Sequence, residues 1–245
     1  LGLGLGAGAG LALLRWFRRH DNRVFASYLM HDFAFTASAG GAVPKPLRPR
    51  LRAFADRIAE ALAGDWDEVL VVGHSSGAHL AVTVLADLIR RGEVRARRPA
   101  LGFLSLGQVV PMVSFLPGGE ELRHDLAFLS QREELTWIDV TAPGDGCAYA
   151  LCDPVAVSGV APAAKRWPLV VSAAFTQTLS PERRRALRWR FFRLHFQYLC
   201  AFDRPGDYDY FRITAGPITL AARYRGRVPS QSRIERAVTR FGTAG

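Results

Sequence analysis

The sequence predicts an α/β fold, a mostly parallel, doubly wound sheet flanked by helices. Three observations predict it. Short apolar runs of strand length recur at residues 69–72, 100–106, 135–141 and 168–175. Segments with helical spacing lie before, between and after them, and helix–strand alternation of this kind argues for a parallel sheet covered by helices. The chain has 245 residues, 49% of them hydrophobic, enough to bury one full core.

Residues 1–14 are uncharged and rich in Leu and Gly, and Arg15, Arg18, Arg19 and His20 follow. Fourteen residues are too few to span a bilayer, which needs about 20. A signal peptide carries its positive charge before the apolar stretch. Charge after it suits a helix leaving a membrane into the cytoplasm. The first 20 residues therefore read as the tail of a membrane helix whose beginning is missing, and the chain as part of a longer protein; a glycine-rich leader is the alternative. Residues 24–36 hold Phe25, Tyr28, Phe33 and Phe35 and fit either a helix or an extended stretch. Residues 38–46 read as a loop.

Leu51, Phe54, Ala55, Ile58, Ala59 and Leu62 form an amphipathic helical stripe that ends near Gly64. The run at 69–72 enters Gly73-His74-Ser75-Ser76-Gly77, and Ala78, Leu80, Ala81, Val82, Val84 and Leu85 continue with helical spacing. A basic loop is expected over 92–98, a strand over 100–106, and a helix over 120–129. Met112, Phe115 and Leu116 lie just beyond a strand end and read as a substrate wall or as ordinary core. The third strand, 135–141, leads into the turn 142–146. Ser180 and Pro181 suit the cap and first position of a helix, with Leu187, Phe191, Leu194, Tyr198 and Phe202 as one stripe. Residues 190–198 also fit strand alternation, so periodicity leaves that segment open.

The net charge is +10, and Lys45 and Lys165 are the only lysines among 32 cationic residues. Such a balance suits nucleic acid, an anionic membrane or an arginine-rich genome. No zinc-finger spacing or RNA-binding signature accompanies it, so nucleic acid is not expected. Cys147, Cys152 and Cys200 are odd in number and lack metal-ligand spacing; they read as free, mostly buried thiols.

Gly73-His74-Ser75-Ser76-Gly77 is a G-x-S-x-G pattern in a strand–turn–helix setting. It resembles the nucleophile elbow of the α/β-hydrolase superfamily, where glycines permit a tight turn and the serine stands in strained backbone above the strand ends. A Gly/Ser-rich turn without chemistry is the alternative. The resemblance covers roughly residues 50–200, and its specific part is the elbow. It implies that Ser75 is a nucleophile, that the acid and then the histidine follow it in sequence, and that the Ser76 N–H holds an oxyanion. Only His79, His124 and His195 follow Ser75, and only His195 also follows the third strand. Asp145, in the turn after that strand, suits the acid better than Asp139 within the strand or Asp153 farther on. A turn aspartate bonded to its own backbone, and a histidine packed in a helix, are the corresponding bland readings.

The family's second oxyanion donor comes from a loop after an earlier strand. No His-Gly-Gly-Gly stretch is present, and Gly40-Gly41 follows no clear strand, so the sheet is expected to lack the family's N-terminal strands. The expected organisation is a leader or membrane-helix tail over 1–20, a hydrolase-like domain over 21–225, and a loose basic tail over 226–245. The expected activity is cleavage of a carboxylic ester or lipid acyl bond at the cytoplasmic face of a membrane, without metal or organic cofactor. An acyltransferase using the same serine, and a non-catalytic membrane-tethered binding module, are the alternatives.

Overall fold

A computed structural model describes residues 2–21, 25–94 and 99–242. The elements in chain order are α1 (Gly2–Arg19), α2 (Ala26–Ser38), α3 (Arg48–Leu62, entered through a 3-10 turn at Lys45–Leu47), β1 (Glu68–His74), α4 (Ser76–Arg90), β2 (Ala100–Leu106) and α5 (Val110–Ser114). They continue with α6 (Glu120–Leu129), β3 (Leu135–Thr141), α7 (Pro154–Val157), β4 (Leu169–Ser172), α8 (Phe175–Thr178), α9 (Pro181–Leu187) and α10 (Phe191–His195). A 3-10 turn at Phe196–Leu199, α11 (Tyr210–Thr214) and α12 (Leu220–Arg223) complete the set.

The four strands form one sheet in the order β1-β2-β3-β4, all parallel. Each strand therefore ends at the same side of the molecule, and the turns after β1, β2 and β3 meet there. Side-chain alternation along each strand feeds two separate cores. On one face Leu101, Phe103, Leu135 and Trp137 pack against Leu51 and Ala55 of α3, Val82 and Leu85 of α4, and Leu126 of α6. On the other, Leu104, Leu106, Ile138 and Val140 pack under Phe175, Tyr198, Tyr208, Ile213 and Leu220. The segments joining the strands cover the first face, and the chain after β4 returns across the second.

The aromatic stretch that fits either helix or strand is helical, as α2. α1 and α2 leave Leu5, Leu11, Leu13, Leu14, Trp16, Tyr28, Met30, Phe33 and Phe35 at least half exposed. Among the described residues no helix is long and apolar enough to cross a membrane. The basic loop expected over 92–98 lies partly outside the described residues.

Ser180 caps α9 by accepting the Arg183 N–H, with Pro181 in the first turn. The long helix that the stripe from Leu187 to Phe202 suggests does not form. The segment breaks at Arg190, whose backbone leaves the helical region, and resumes as α10 and a 3-10 turn. These breaks allow His195 and Tyr198 both to point into the second core, where each is nearly inaccessible. Residues 226–242 form no helix or strand, yet Ser230 N–H bonds the Val170 carbonyl, Ile234 bridges Cys152, and Val238 N–H bonds the Val157 carbonyl.

Candidate active site

The turn after β1 holds Ser75 at φ 56°, ψ −123°, a conformation that costs a non-glycine residue of order 1–3 kcal/mol. Its N–H is tied to the Leu106 carbonyl of β2 at 2.9 Å, and Ala78 N–H bonds the Ser75 carbonyl. Gly73 is required: a Cβ there would lie 2.7 Å from the Gly77 carbonyl oxygen and 2.8 Å from the Ala78 Cα. Gly77 is not required on these grounds, since a Cβ there would meet nothing within 4 Å. The expected steric role thus falls on the first glycine alone. The Ser75 hydroxyl caps no backbone group of α4. Ser76 opens that helix, where a backbone N–H has no intrahelical acceptor.

Asp145 follows β3 and is buried. Its Oδ1 accepts the Cys147 N–H at 3.0 Å, and its Oδ2 accepts from His195 Nδ1 at 2.8 Å and from the Tyr198 hydroxyl at 2.9 Å. The two readings of Asp145, turn residue and partner of a histidine, are thus both true, one for each oxygen. A carboxylate only accepts, so His195 carries its proton on Nδ1 and presents a lone pair at Nε2. That nitrogen is buried and has no hydrogen-bond partner among the described residues. The structure therefore brings Asp145 and His195 into direct contact and leaves the Ser75 hydroxyl unbonded to Nε2.

The neighbour of the serine closes the gap between the two halves. His74 lies ring to ring against His195, with centroids 4.5 Å apart, and its Nε2–H donates to the His195 carbonyl at 2.9 Å. Burial holds the His74 imidazole below its ordinary pKa, so the ring is neutral and suited to this contact. Gly107, at the end of β2, completes the floor at φ 52°. A Cβ there would stand 2.7 Å from Tyr198 Cε2 and 3.1 Å from His195 Cε1.

Tyr198 was not legible as a site residue. Its hydroxyl accepts the Ala142 N–H at 3.0 Å while donating to Asp145. Burial first, and the Asp145 charge second, push its pKa well above the ordinary value, which keeps it a donor. The available signal was its position three residues after His195, on the same turn of chain. Asp32 of α2, which no sequence signal ties to the elbow, reaches it as well: its Oδ2 accepts the Ser76 hydroxyl at 2.7 Å.

The other candidates are occupied elsewhere. His79 is buried in α4, and His124 is exposed on α6. Asp139 is fully buried and accepts the Ser105 hydroxyl at 2.5 Å, with burial raising its pKa to about 8. Asp153 caps α7 through the N–H groups of Val155 and Ala156 and pairs with Lys165.

Asp145, Cys147 and His195 bring three potential metal-ligand atoms within 4.8 Å of one another. The donor set fits a metal poorly. His195 Nδ1 is engaged by the carboxylate, and burial followed by the Asp145 charge pushes the Cys147 thiol up, away from the thiolate that a metal needs. A separate cleft of 420 Å³ lies at the opposite ends of β3 and β4, lined in part by Lys165, Arg166, Trp167 and Arg227, and shares no residue with this constellation. Comparison with protein-family models, with curated proteins and with solved structures returned no match for this chain.

Proposed function

We propose that the chain is a serine hydrolase of the α/β-hydrolase type that cleaves a carboxylic ester or lipid acyl bond. The observation that carries this reading is the buried Asp145–His195 pair, with a free Nε2, packed against His74, which directly precedes a serine in strained backbone at the strand ends. The chain order serine, aspartate, histidine, with the first two after β1 and β3 and the third after β4, supports it further.

In this mechanism Nε2 of His195 takes the proton of Ser75 as its oxygen attacks the acyl carbonyl. Asp145 holds the ring in the required tautomer and stabilises the imidazolium that forms. The Ser76 N–H, at the positive end of the α4 dipole, holds the developing oxyanion. His195 returns the proton to the leaving alcohol. Water then repeats the sequence on the acyl-enzyme, with His195 as base and Ser75 as leaving group. An alcohol in place of that water would make the same residues an acyltransferase.

The setting at a lipid surface belongs to the proposal. The exposed Leu, Phe, Tyr and Trp side chains of α1 and α2 support it, with Arg15, Arg18 and Arg19 at the end of α1 suited to anionic headgroups at a cytoplasmic face. The second reading is a non-catalytic module. It is favoured by the missing bond between Ser75 and His195 Nε2, and by the lack of an assigned second oxyanion donor. Labelling with a fluorophosphonate probe separates the two. The hydrolase reading expects labelling of the native chain that is lost in Ser75→Ala and strongly reduced in His195→Ala. A folded native chain that stays unlabelled, both free and with anionic vesicles, would overturn it.

A further inference from the structure

α9 and α10 carry a charge that the chemistry at Ser75 does not use. Six of the eleven residues 183–193 are arginine, and no Asp or Glu stands between Glu182 and Asp203. Arg183, Arg184, Arg185, Arg188, Arg190 and Arg193 are all exposed. Arg48, Arg90 and Arg227 each meet a carboxylate, whereas none of the six has an ion-pair partner among the described residues. Aromatic rings interleave with them. Trp189 is 75% exposed and Phe191 54%, and the Arg188 guanidinium stands over the Trp189 ring, 5.3 Å from its centroid.

The same segment borders the candidate site. α10 buries His195 against Asp145 while Phe191 and Arg193 stay exposed. Phe191 neighbours the turn that holds Asp145, since a Cβ on Gly146 would lie 3.8 Å from its ring. Phe196 is also exposed and packs on His74, with centroids 4.7 Å apart. Towards α2, the Phe192 ring takes Phe25 in a stack at 4.1 Å and Tyr28 edge-on at 5.6 Å. The arginine-rich surface and the exposed apolar side chains of α2 therefore adjoin at Phe192.

Six like charges so close in sequence repel one another, and exposed indole and phenyl rings leave apolar area in water. One partner relieves both costs. Anionic headgroups take the guanidinium groups, and the layer beneath them takes the rings. A nucleic acid or an acidic peptide would neutralise the arginines but leave the adjoining apolar side chains of α2 in water. We propose that α9 and α10 dock the chain on an anionic phospholipid bilayer, with the arginines on phosphate oxygens, Trp189 and Phe191 at the acyl boundary, and the edge of the Asp145–His195 site against the lipid. This surface is distinct from the arginines of α1. The docking stands without the hydrolase reading, and only its purpose, bringing lipid esters to Ser75, rests on that reading.

The test is co-sedimentation of the full chain with vesicles of phosphatidylserine and phosphatidylcholine in equal parts, compared with vesicles of phosphatidylcholine alone. The native chain should bind the anionic vesicles more tightly, and the difference should shrink as salt is added. Each arginine near such a surface is worth roughly 5-fold in affinity, so the triple variant Arg184→Gln, Arg188→Gln, Arg193→Gln should bind about 100-fold more weakly, with circular dichroism confirming its fold. Should that variant not fold, brominated lipid in the anionic vesicles serves instead: it should quench the tryptophan fluorescence of the native chain, and Trp189→Phe should reduce that quenching. Equal binding to both vesicle types, a folded triple variant that binds as the native chain does, or quenching unchanged in Trp189→Phe would overturn the proposal. Binding of polyuridylate through the same arginines, with no binding of the anionic vesicles, would overturn it in favour of nucleic acid. Fluorophosphonate labelling reads Ser75 separately. Docking without labelling, free or on vesicles, would sink the hydrolase reading alone, and labelling without docking would sink this one alone.

Discussion

His195 Nδ1 stands 2.8 Å from Asp145 Oδ2, and both side chains are closed off from solvent. Fifty residues of chain separate them, so the contact exists only because β3 and α10 end at the same place. In a site this dry, the orientation of one ring fixes which nitrogen is free. Asp145→Asn tests that. The amide can donate towards Nδ1 and favour the opposite tautomer, with the proton on Nε2. The rate of fluorophosphonate labelling should fall by about 10³–10⁴-fold while the fold persists, measured alongside circular dichroism to confirm the folded state.

Tyr198→Phe separates holding the acid from doing the chemistry. It removes the donor to Asp145 and leaves the buried Ala142 N–H without its acceptor. The expected loss of stability is about 1–3 kcal/mol, the usual effect of orphaning a buried polar group, and urea denaturation reads it. Labelling should fall far less than in Asp145→Asn, because the carboxylate keeps its bond to His195.

The two elbow glycines should behave in opposite ways. Gly73→Ala drives a Cβ into the backbone of the next helix and should disrupt the elbow, with loss of labelling and of thermal stability. Gly77→Ala meets no neighbour. It should hold or raise stability by up to about 1 kcal/mol, since alanine is the better helix former. A tolerated Gly73→Ala would show that the turn is looser than this geometry.

Two buried groups set opposed slopes of stability against pH. His79 has a folded pKa lowered from 6.5 to about 4. The unfolded chain binds more protons between those values, so its contribution is present above pH 6.5 and is lost as the pH falls towards 4. Asp139 has a folded pKa raised from 3.8 to about 8. The folded chain keeps that proton while the unfolded chain releases it, so stability falls as the pH rises from 3.8 to 8. Asp139→Asn should therefore be more stable than the native chain at pH 8 and lose its advantage near pH 4. His79→Gln should flatten the slope between pH 4 and 6.5. Urea midpoints across pH 4–8 check both signs.

Much of the fold was legible because the strands announce themselves. The runs at 100–106 and 135–141 coincide with β2 and β3 residue for residue, since strands buried on both faces are near-continuously apolar, here with Ser105 and Asp139 as the paired buried polar exceptions. The elbow was legible for the opposite reason, a local steric demand written in one glycine. Residues 190–198 resisted reading because alternation and helical spacing coexist there. The actual solution, a short helix running into a 3-10 turn, obeys neither period for long. The contact between α2 and α4 was not legible at all: Asp32 meets Ser76 across 44 residues of chain, and nothing local to either segment records it.

Tyr198 has one more implication. Its hydroxyl joins Ala142, just after β3, to Asp145, its ring lies tilted against Phe175, and its edge fills the space that Gly107 leaves at the end of β2. The histidine arrives on the same stretch of chain as this keystone. On the proposed hydrolase reading, the docking of this one stretch sets both acid and base, and a molecule whose last third has not settled would carry a strained serine with no partner to activate it.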